Sequence, residues 1–303
     1  MTETNDSIAV QARGVGKRYG GLWALQDCTI QVPAGSITAL VGANGAGKST
    51  LLQLLTGLIK ASAGEVTVFG ERPAQTASFL ANVGYLAQEI PLYADWSAQD
   101  YIDMGRHLNA SWDESLMRRH LEELSIPLDR AVGSLSGGQR AQVALATALA
   151  KRPKLLLLDE PVAALDPLAR HDFLASLGQA AADSDMTVIL SSHSLPDLET
   201  ICDRLLILEM GRVQLADDMD HILATHYLLA GPQSTKPPLA EPYVIVQETH
   251  TGRQSQFLVQ TEAAKLPHGG TWHTTPVSME EIVLAYLRHH QTGQPNKQNG
   301  DKK

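Results

Sequence analysis

Gly42-Ala43-Asn44-Gly45-Ala46-Gly47-Lys48-Ser49-Thr50 decides the fold of this 303-residue chain. The apolar run Ile37-Thr38-Ala39-Leu40-Val41 leads into it, and Leu51-Leu52-Gln53-Leu54-Leu55 follows. The order is buried strand, glycine-rich loop, helix, which is the setting of a phosphate-binding loop. Gly42, Gly45 and Gly47 reach backbone angles that other residues resist, so successive N–H groups of the loop converge on one anion. The helix beginning near Lys48 adds its positive end and its unpaired amides. Lys48 supplies a point charge to the outer phosphates, and the Ser49 hydroxyl is a Mg²⁺ ligand by type. The loop is a site for a nucleoside triphosphate on an α/β fold.

Carboxylates of the right kind follow. Leu155-Leu156-Leu157-Leu158-Asp159-Glu160-Pro161 is an unbroken apolar run ending in two acids. Such a run fits a parallel strand covered on both faces. Asp159 at its tip is placed to hold the hydrated Mg²⁺ of the triphosphate, and Glu160 to accept a proton from the attacking water. Adjacent carboxylates repel unless a cation sits between them, which favours the metal. Gln88, after Val83-Gly84-Tyr85-Leu86, and His193, after Met186-Thr187-Val188-Ile189-Leu190, are read as strand-end residues. Ligands of open α/β sheets sit at that end. Gln88 there reaches metal or water, or is an ordinary surface glutamine; His193 touches the terminal phosphate, or is structural. Ser136-Gly137-Gly138-Gln139 opens an alanine-rich helix and reads as a second anion site, or as a plain helix cap. Asp166, before Pro167, is an N-cap or a contact residue. Tyr19, beside Gly20-Gly21, stacks on a purine or is a half-buried tyrosine.

The net charge of −9 argues against a nucleic-acid binder, and 44% hydrophobic with 19% charged residues is ordinary globular composition. Cys28 and Cys202, far apart, read as buried reduced thiols of a cytosolic protein. No basic and apolar leader is visible at Met1–Asp6, and no stretch approaches ~18 consecutive apolar residues. A membrane connection therefore runs through a partner.

With these residues in order, the chain resembles the nucleotide-binding subunit of an ATP-binding cassette (ABC) transporter from about residue 8 to 225. Tyr19 matches the aromatic A-loop, Gly42–Thr50 the Walker A loop, Gln88 the Q-loop and Leu135–Gln139 the LSGGQ signature. Leu155–Glu160 matches Walker B with the catalytic glutamate, Ala164–Asp166 the D-loop and His193 the switch histidine. The resemblance implies a P-loop NTPase cassette with a RecA-like core sheet, an antiparallel β subdomain and a helical subdomain at about 90–150. It implies ATP with Mg²⁺, held between two chains packed head to tail, each Walker A loop facing the partner's signature loop. A homodimer and a heterodimer are both open. It implies a separate transmembrane permease, on whose inner face the chain is peripheral. Ala163-Ala164 precedes Leu165 where serine or glycine is common in the family, and Thr147 stands where arginine is common. Neither removes a catalytic group.

Elsewhere the sequence is less specific. Gly14–Lys17 reads as a turn, and about 97–124 as helical, with His107 and His120 on a helix face and without a role. The ABC domain is expected over 1–226 and a small α+β extension over 227–291. In the extension, Gly231–Pro238 reads as a linker, Tyr243–Val246 and Gln256–Val259 as a hairpin, and Ser278-Met279-Glu280-Glu281 as a capping box. Residues 292–303 read as a disordered tail. Seven of the eleven histidines, His221, His226, His250, His268, His273, His289 and His290, fall in the last third of the chain without metal-ligand spacing. The extension is similar to that of drug-export ATPase subunits, which points to export. Import, and a cassette acting on ribosomes or DNA, are the alternatives.

Overall fold

Leu155–Asp159 is buried at every position, because its strand has neighbours on both sides and covered faces above and below. The structure is a computed structural model and describes residues 8–90, 92–109, 111–193, 198–267 and 270–288. It divides into two compact units, Met1–Ala216 and Asp217–Lys303.

The first unit opens with β1 (Ile8–Tyr19), β2 (Leu22–Pro33), β3 (Ile37–Val41), α1 (Lys48–Leu55), β4 (Ala63–Val68), α2 (Ala77–Asn82) and β5 (Val83–Leu86). The helices α3 (Ala98–Leu108), α4 (Glu114–Glu123) and α5 (Gly137–Ala150) follow. It closes with β6 (Leu155–Asp159), α6 (Pro167–Ala182), β7 (Thr187–Ser192), β8 (Arg204–Glu209) and β9 (Arg212–Asp218), whose last two residues already belong to the second unit.

A six-stranded sheet runs β5-β6-β7-β3-β8-β9, and β5, β6, β7, β3 and β8 pair in parallel. A second, antiparallel sheet has the order β2-β1-β4. One core joins the two: Val10, Leu25, Leu40, Leu51, Leu155 and Leu206 all belong to it. A separate cluster around Ile102, Met117, Leu121 and Val143 binds α3, α4 and α5. The expected core sheet, antiparallel sheet and helical part are therefore all present.

The turn expected at Gly14–Lys17 is instead the interior of β1. Its register with β2 shifts between Ala12 and Val15 and again between Val15 and Lys17. Bulges absorb the glycines, so the strand bends without ending. Both cysteines are buried free thiols. Burial, with the Asp203 charge, pushes the Cys202 thiol up to about 12, out of the reactive range.

The second unit contains α7 (Met219–Thr225), β10 (His226–Pro232), β11 (Val244–Thr251), β12 (Gln254–Gln260), β13 (His273–Pro276) and α8 (Met279–Arg288). Its sheet has the order β11-β12-β10-β13. Gly231 and Pro232, read as linker, end β10 opposite Ser255 and Gln254. Gly231 is needed there because a Cβ would meet the Trp272 ring at 2.3 Å. The unit begins at Asp217, ahead of the composition shift at Tyr227, and includes α7, which packs on α8. The Ser278 hydroxyl and the Glu281 carboxylate form the expected reciprocal cap. The 292–303 tail, His268, His289 and His290 lie outside the described residues.

Candidate functional site

β3 delivers the phosphate loop from the middle of the sheet. Gly47 has a φ of 105°, and a Cβ there would stand 2.6 Å from the Ala24 carbonyl oxygen of β2. Only glycine meets both demands. α1 starts at the next residue with no side chain capping its amides, so its positive end stays open to an anion.

Lys48 is 5% exposed. Its Nζ donates to the carbonyls of Gly42 at 2.8 Å and Ala43 at 3.3 Å, and pairs with Glu160 Oε1 at 3.0 Å. Glu160 is the first residue past β6, with a φ of 46° and a side chain 9% exposed. Its Oε2 lies 3.2 Å from Nδ1 of His193, the first residue past β7. Lys48 at the start of α1 and His193 past the end of β7 thus meet at the Glu160 carboxylate. Burial alone would raise the Glu160 carboxyl, but the Lys48 hydrogen bond and charge, helped by His193, hold it below the usual value.

Asp159 is buried behind them. Its Oδ1 accepts a hydrogen bond from Ser191 Oγ at 2.8 Å, and the same Oγ accepts the Glu160 N–H at 2.9 Å. No ion pair neutralises Asp159 among the described residues, so its carboxylate suits a cation arriving with a ligand. Those residues hold no cluster of three or more His, Cys, Asp or Glu with metal-site geometry. Mg²⁺ needs none, because it binds through one or two protein oxygens with phosphates and water.

Residues 25–163 match the family model described as ABC transporter. A Nod factor export ATP-binding protein I of Rhizobium johnstonii is 35% identical over 222 residues, covering 71% of this chain and 71% of that protein. The chain belongs to the ABC transporter family. A sulfate/thiosulfate import ATP-binding protein CysA of Halalkalibacterium halodurans is 28% identical over 297 residues, covering 94% of this chain and 78% of that protein. A solved ATP-binding subunit of an ABC transporter superposes with a TM-score of 0.64 at 27% identity, covering 71% of this chain and 91% of that one. The chain is an ATP-binding subunit of an ABC transporter and an ATPase.

Among the described residues, no hydrogen bond or ion pair joins the remaining motifs of the ABC ATPase to this cluster. Tyr19 is half exposed where β1 turns into β2, with Lys17 Nζ 5.1 Å from its ring centre. The contact of Gly47 with Ala24 brings β2 against the phosphate loop. Gln88 is exposed two residues past β5, beside the end of β6. Ser136 caps α5 in a capping box with Gln139, its hydroxyl oxygen accepting the Gln139 N–H. Asp166 caps α6 through the Ala169 amide at 3.0 Å.

Gly138 carries a relation that the sequence does not show: a Cβ there would lie 2.7 Å from the Cβ of Ala169. The signature turn is thereby seated on the first turn of the helix that the D-loop aspartate caps. Ser191 was missed as well. The signal for it is a serine inside a buried strand, opposite Asp159 in the ladder.

A cavity of about 880 Å³ lies at the other end of the sheet, between α4, α5 and α6, with Met186 and Thr187 at the start of β7 in its wall. It is not the nucleotide site. Phosphates are held by loop amides at a surface, which leaves a shallow cradle rather than a deep hole.

Proposed function

We propose that this ABC ATPase powers export through a separate membrane permease, with ATP hydrolysed at the Lys48–Glu160–His193 cluster. The observation that carries the hydrolytic role is the Glu160 carboxylate, held between Lys48 Nζ at 3.0 Å and His193 Nδ1 at 3.2 Å. A site that only bound nucleotide would need no carboxylate at that place.

In this reading the amides of Gly42, Ala43, Asn44, Gly45, Ala46, Gly47 and Thr50 cradle the phosphates, and Lys48 turns from Glu160 to the outer two. Tyr19 stacks on the adenine. Ser49 and Asp159, with Gln88 nearby, hold Mg²⁺, which neutralises phosphate charge when bound. Glu160 accepts the proton of the attacking water, and His193 contacts the terminal phosphate. Ser136–Gln139 and Asp166 act across a head-to-tail dimer on the partner's nucleotide. Supporting this, no hydrogen bond or ion pair ties that turn to its own phosphate loop among the described residues, and open space surrounds Gly137.

No helix among the described residues is long and apolar enough to cross a membrane. The subunit works from the cytoplasmic face, docked on its permease. Similarity to a protein named for Nod factor export supports the direction. Import is the second reading, favoured by the CysA similarity that spans more of the chain.

The test is an affinity pull-down of tagged Glu160→Gln protein from detergent-solubilised native membranes with ATP present. Recovery of a polytopic membrane protein supports the proposal, and uptake of its substrate into inside-out vesicles then separates export from import. Recovery of ribosomal or DNA-repair components without a membrane protein overturns it.

A further inference from the structure

We infer that Ser191 is a positioning residue for ATP hydrolysis, holding the Glu160 backbone and the Asp159 carboxylate through a single hydroxyl. The inference rests on the proposed roles of Glu160 and Asp159.

Ser191 is fully buried in β7, in register with Asp159 of β6 on one side and Leu40 of β3 on the other. The three residues before it in the strand, Val188, Ile189 and Leu190, are apolar, as in a strand covered on both faces. A hydroxyl at such a place needs partners, and Ser191 has two. Its Oγ donates to Asp159 Oδ1 at 2.8 Å and accepts the Glu160 N–H at 2.9 Å. The directions are fixed, because an amide N–H only donates and an ionised carboxylate only accepts.

The geometry explains what the two bonds do. β6 ends at Asp159, so the Glu160 N–H leaves the ladder and must be satisfied elsewhere. Glu160 adopts a φ of 46°, a left-handed conformation that non-glycine residues keep only where their surroundings enforce it. The Ser191 oxygen anchors that N–H and so sets the direction in which the carboxylate leaves the strand, towards Lys48 and His193. The second bond fixes the rotation of the Asp159 carboxylate and occupies one of its oxygens. One residue thus ties the metal-side acid and the water-side acid to the strand that carries His193.

The test compares the full-length chain with its Ser191→Ala, Ser191→Thr and Glu160→Gln variants. Ser191→Ala should lower kcat for ATP by at least ~10-fold, or about 1.4 kcal/mol of barrier. Its KM, and its affinity for trinitrophenyl-ATP in the presence of a chelator, should stay within about twofold. Ser191→Thr keeps the hydroxyl and should return kcat to within about threefold of the parent. Turnover by Ser191→Ala within about twofold of the parent overturns the inference. A parallel loss of nucleotide affinity and melting temperature also overturns it, since Ser191 would then only support the core. Glu160→Gln separates the two levels. If it hydrolyses ATP at the parental rate, the reading of Glu160 falls and this inference falls with it. If it is inactive while Ser191→Ala is not, only this inference fails.

Discussion

Lys48 Nζ stands 3.0 Å from Glu160 Oε1, with both side chains almost wholly buried. Screening is weak at such a place, so each charge depends strongly on the other. The outer phosphates of ATP attract the same ammonium, and binding therefore exchanges one anionic partner for another. Glu160→Gln keeps the shape and a hydrogen-bond acceptor while removing the competing charge. We expect it to bind ATP at least about threefold tighter when Mg²⁺ is chelated, roughly 0.6 kcal/mol. Equilibrium titration of the two proteins decides the matter. Equal or weaker binding by the variant would mean that the pair does not oppose the nucleotide.

The 2.7 Å that would separate a Cβ at residue 138 from that of Ala169 makes a sharper claim about the signature turn. Gly138→Ala should push the start of α5 away from α6 and lower turnover by at least ~10-fold, while leaving ATP binding to the phosphate loop unchanged. Shortening the neighbour restores the space, so Gly138→Ala with Ala169→Gly should recover a large part of the rate. Steady-state ATPase assays on the single and double variants measure this. No recovery in the double variant would show that Gly138 is needed for its open backbone, not for this contact.

Asp113 ties α4 to the end of α5. It accepts hydrogen bonds from Ser115 Oγ at 2.6 Å, from the Leu116 N–H at 2.9 Å, and from Arg152 Nε and Nη2 at 2.9 and 2.5 Å. The Ser115 hydroxyl, then the Leu116 amide and Arg152, hold its carboxyl at about 2. The folded state therefore binds fewer protons here than the unfolded chain below pH ~4. The stabilisation is complete above that pH and is lost as pH falls towards about 2. Arg152 is half exposed, so solvent screening limits the effect to about 1–2 kcal/mol. Asp113→Asn keeps a good cap and should cost about that much at pH 7, with the difference from the parent vanishing by pH ~2. Urea unfolding across the range tests it, and a constant difference would exclude the carboxylate as the cause.

What the sequence made legible divides by physical cause. Glu160 and His193 were found because each stands just past an apolar strand run, and Lys48 because its glycine-rich loop lies between such a run and a helix; parallel topology brings the carboxyl ends of those strands together. The β1 bend escaped notice because glycines in a bulged strand and glycines in a turn look alike in one dimension. β10 and β13 were missed because their stability comes from partners distant in sequence, not from an alternating pattern of their own. The same holds for polar pairs between helices. His120 Nε2 lies 2.9 Å from the Oε1 of the buried Gln142, whose Nε2 donates to Ser176 Oγ at 3.4 Å. That chain joins α4, α5 and α6, and no spacing within any one helix announces it.

His226 and Tyr286 make the second unit's stability dependent on pH. The His226 ring is fully buried, and its Nδ1 lies 2.8 Å from the Ile222 carbonyl oxygen. Nδ1 therefore carries the proton, and Nε2 accepts the Tyr286 hydroxyl proton at 3.1 Å. Burial, the largest cause, lowers the His226 pKa, and burial pushes the Tyr286 hydroxyl up to about 12. The folded state thus keeps the ring neutral while the unfolded chain takes up a proton below pH ~6.5. Stability is unaffected by this group above that pH and declines as pH falls from there towards the folded value. Tyr286→Phe leaves a buried nitrogen without its donor and should cost about 1–2 kcal/mol at neutral pH. His226→Gln should be less stable at pH 7 yet lose most of the slope below pH ~6.5. Hydrogen exchange of the β10 and α8 amides, corrected for the intrinsic pH dependence of exchange, reads both effects in the full chain. An undiminished slope in His226→Gln would place the titrating group elsewhere in the unit.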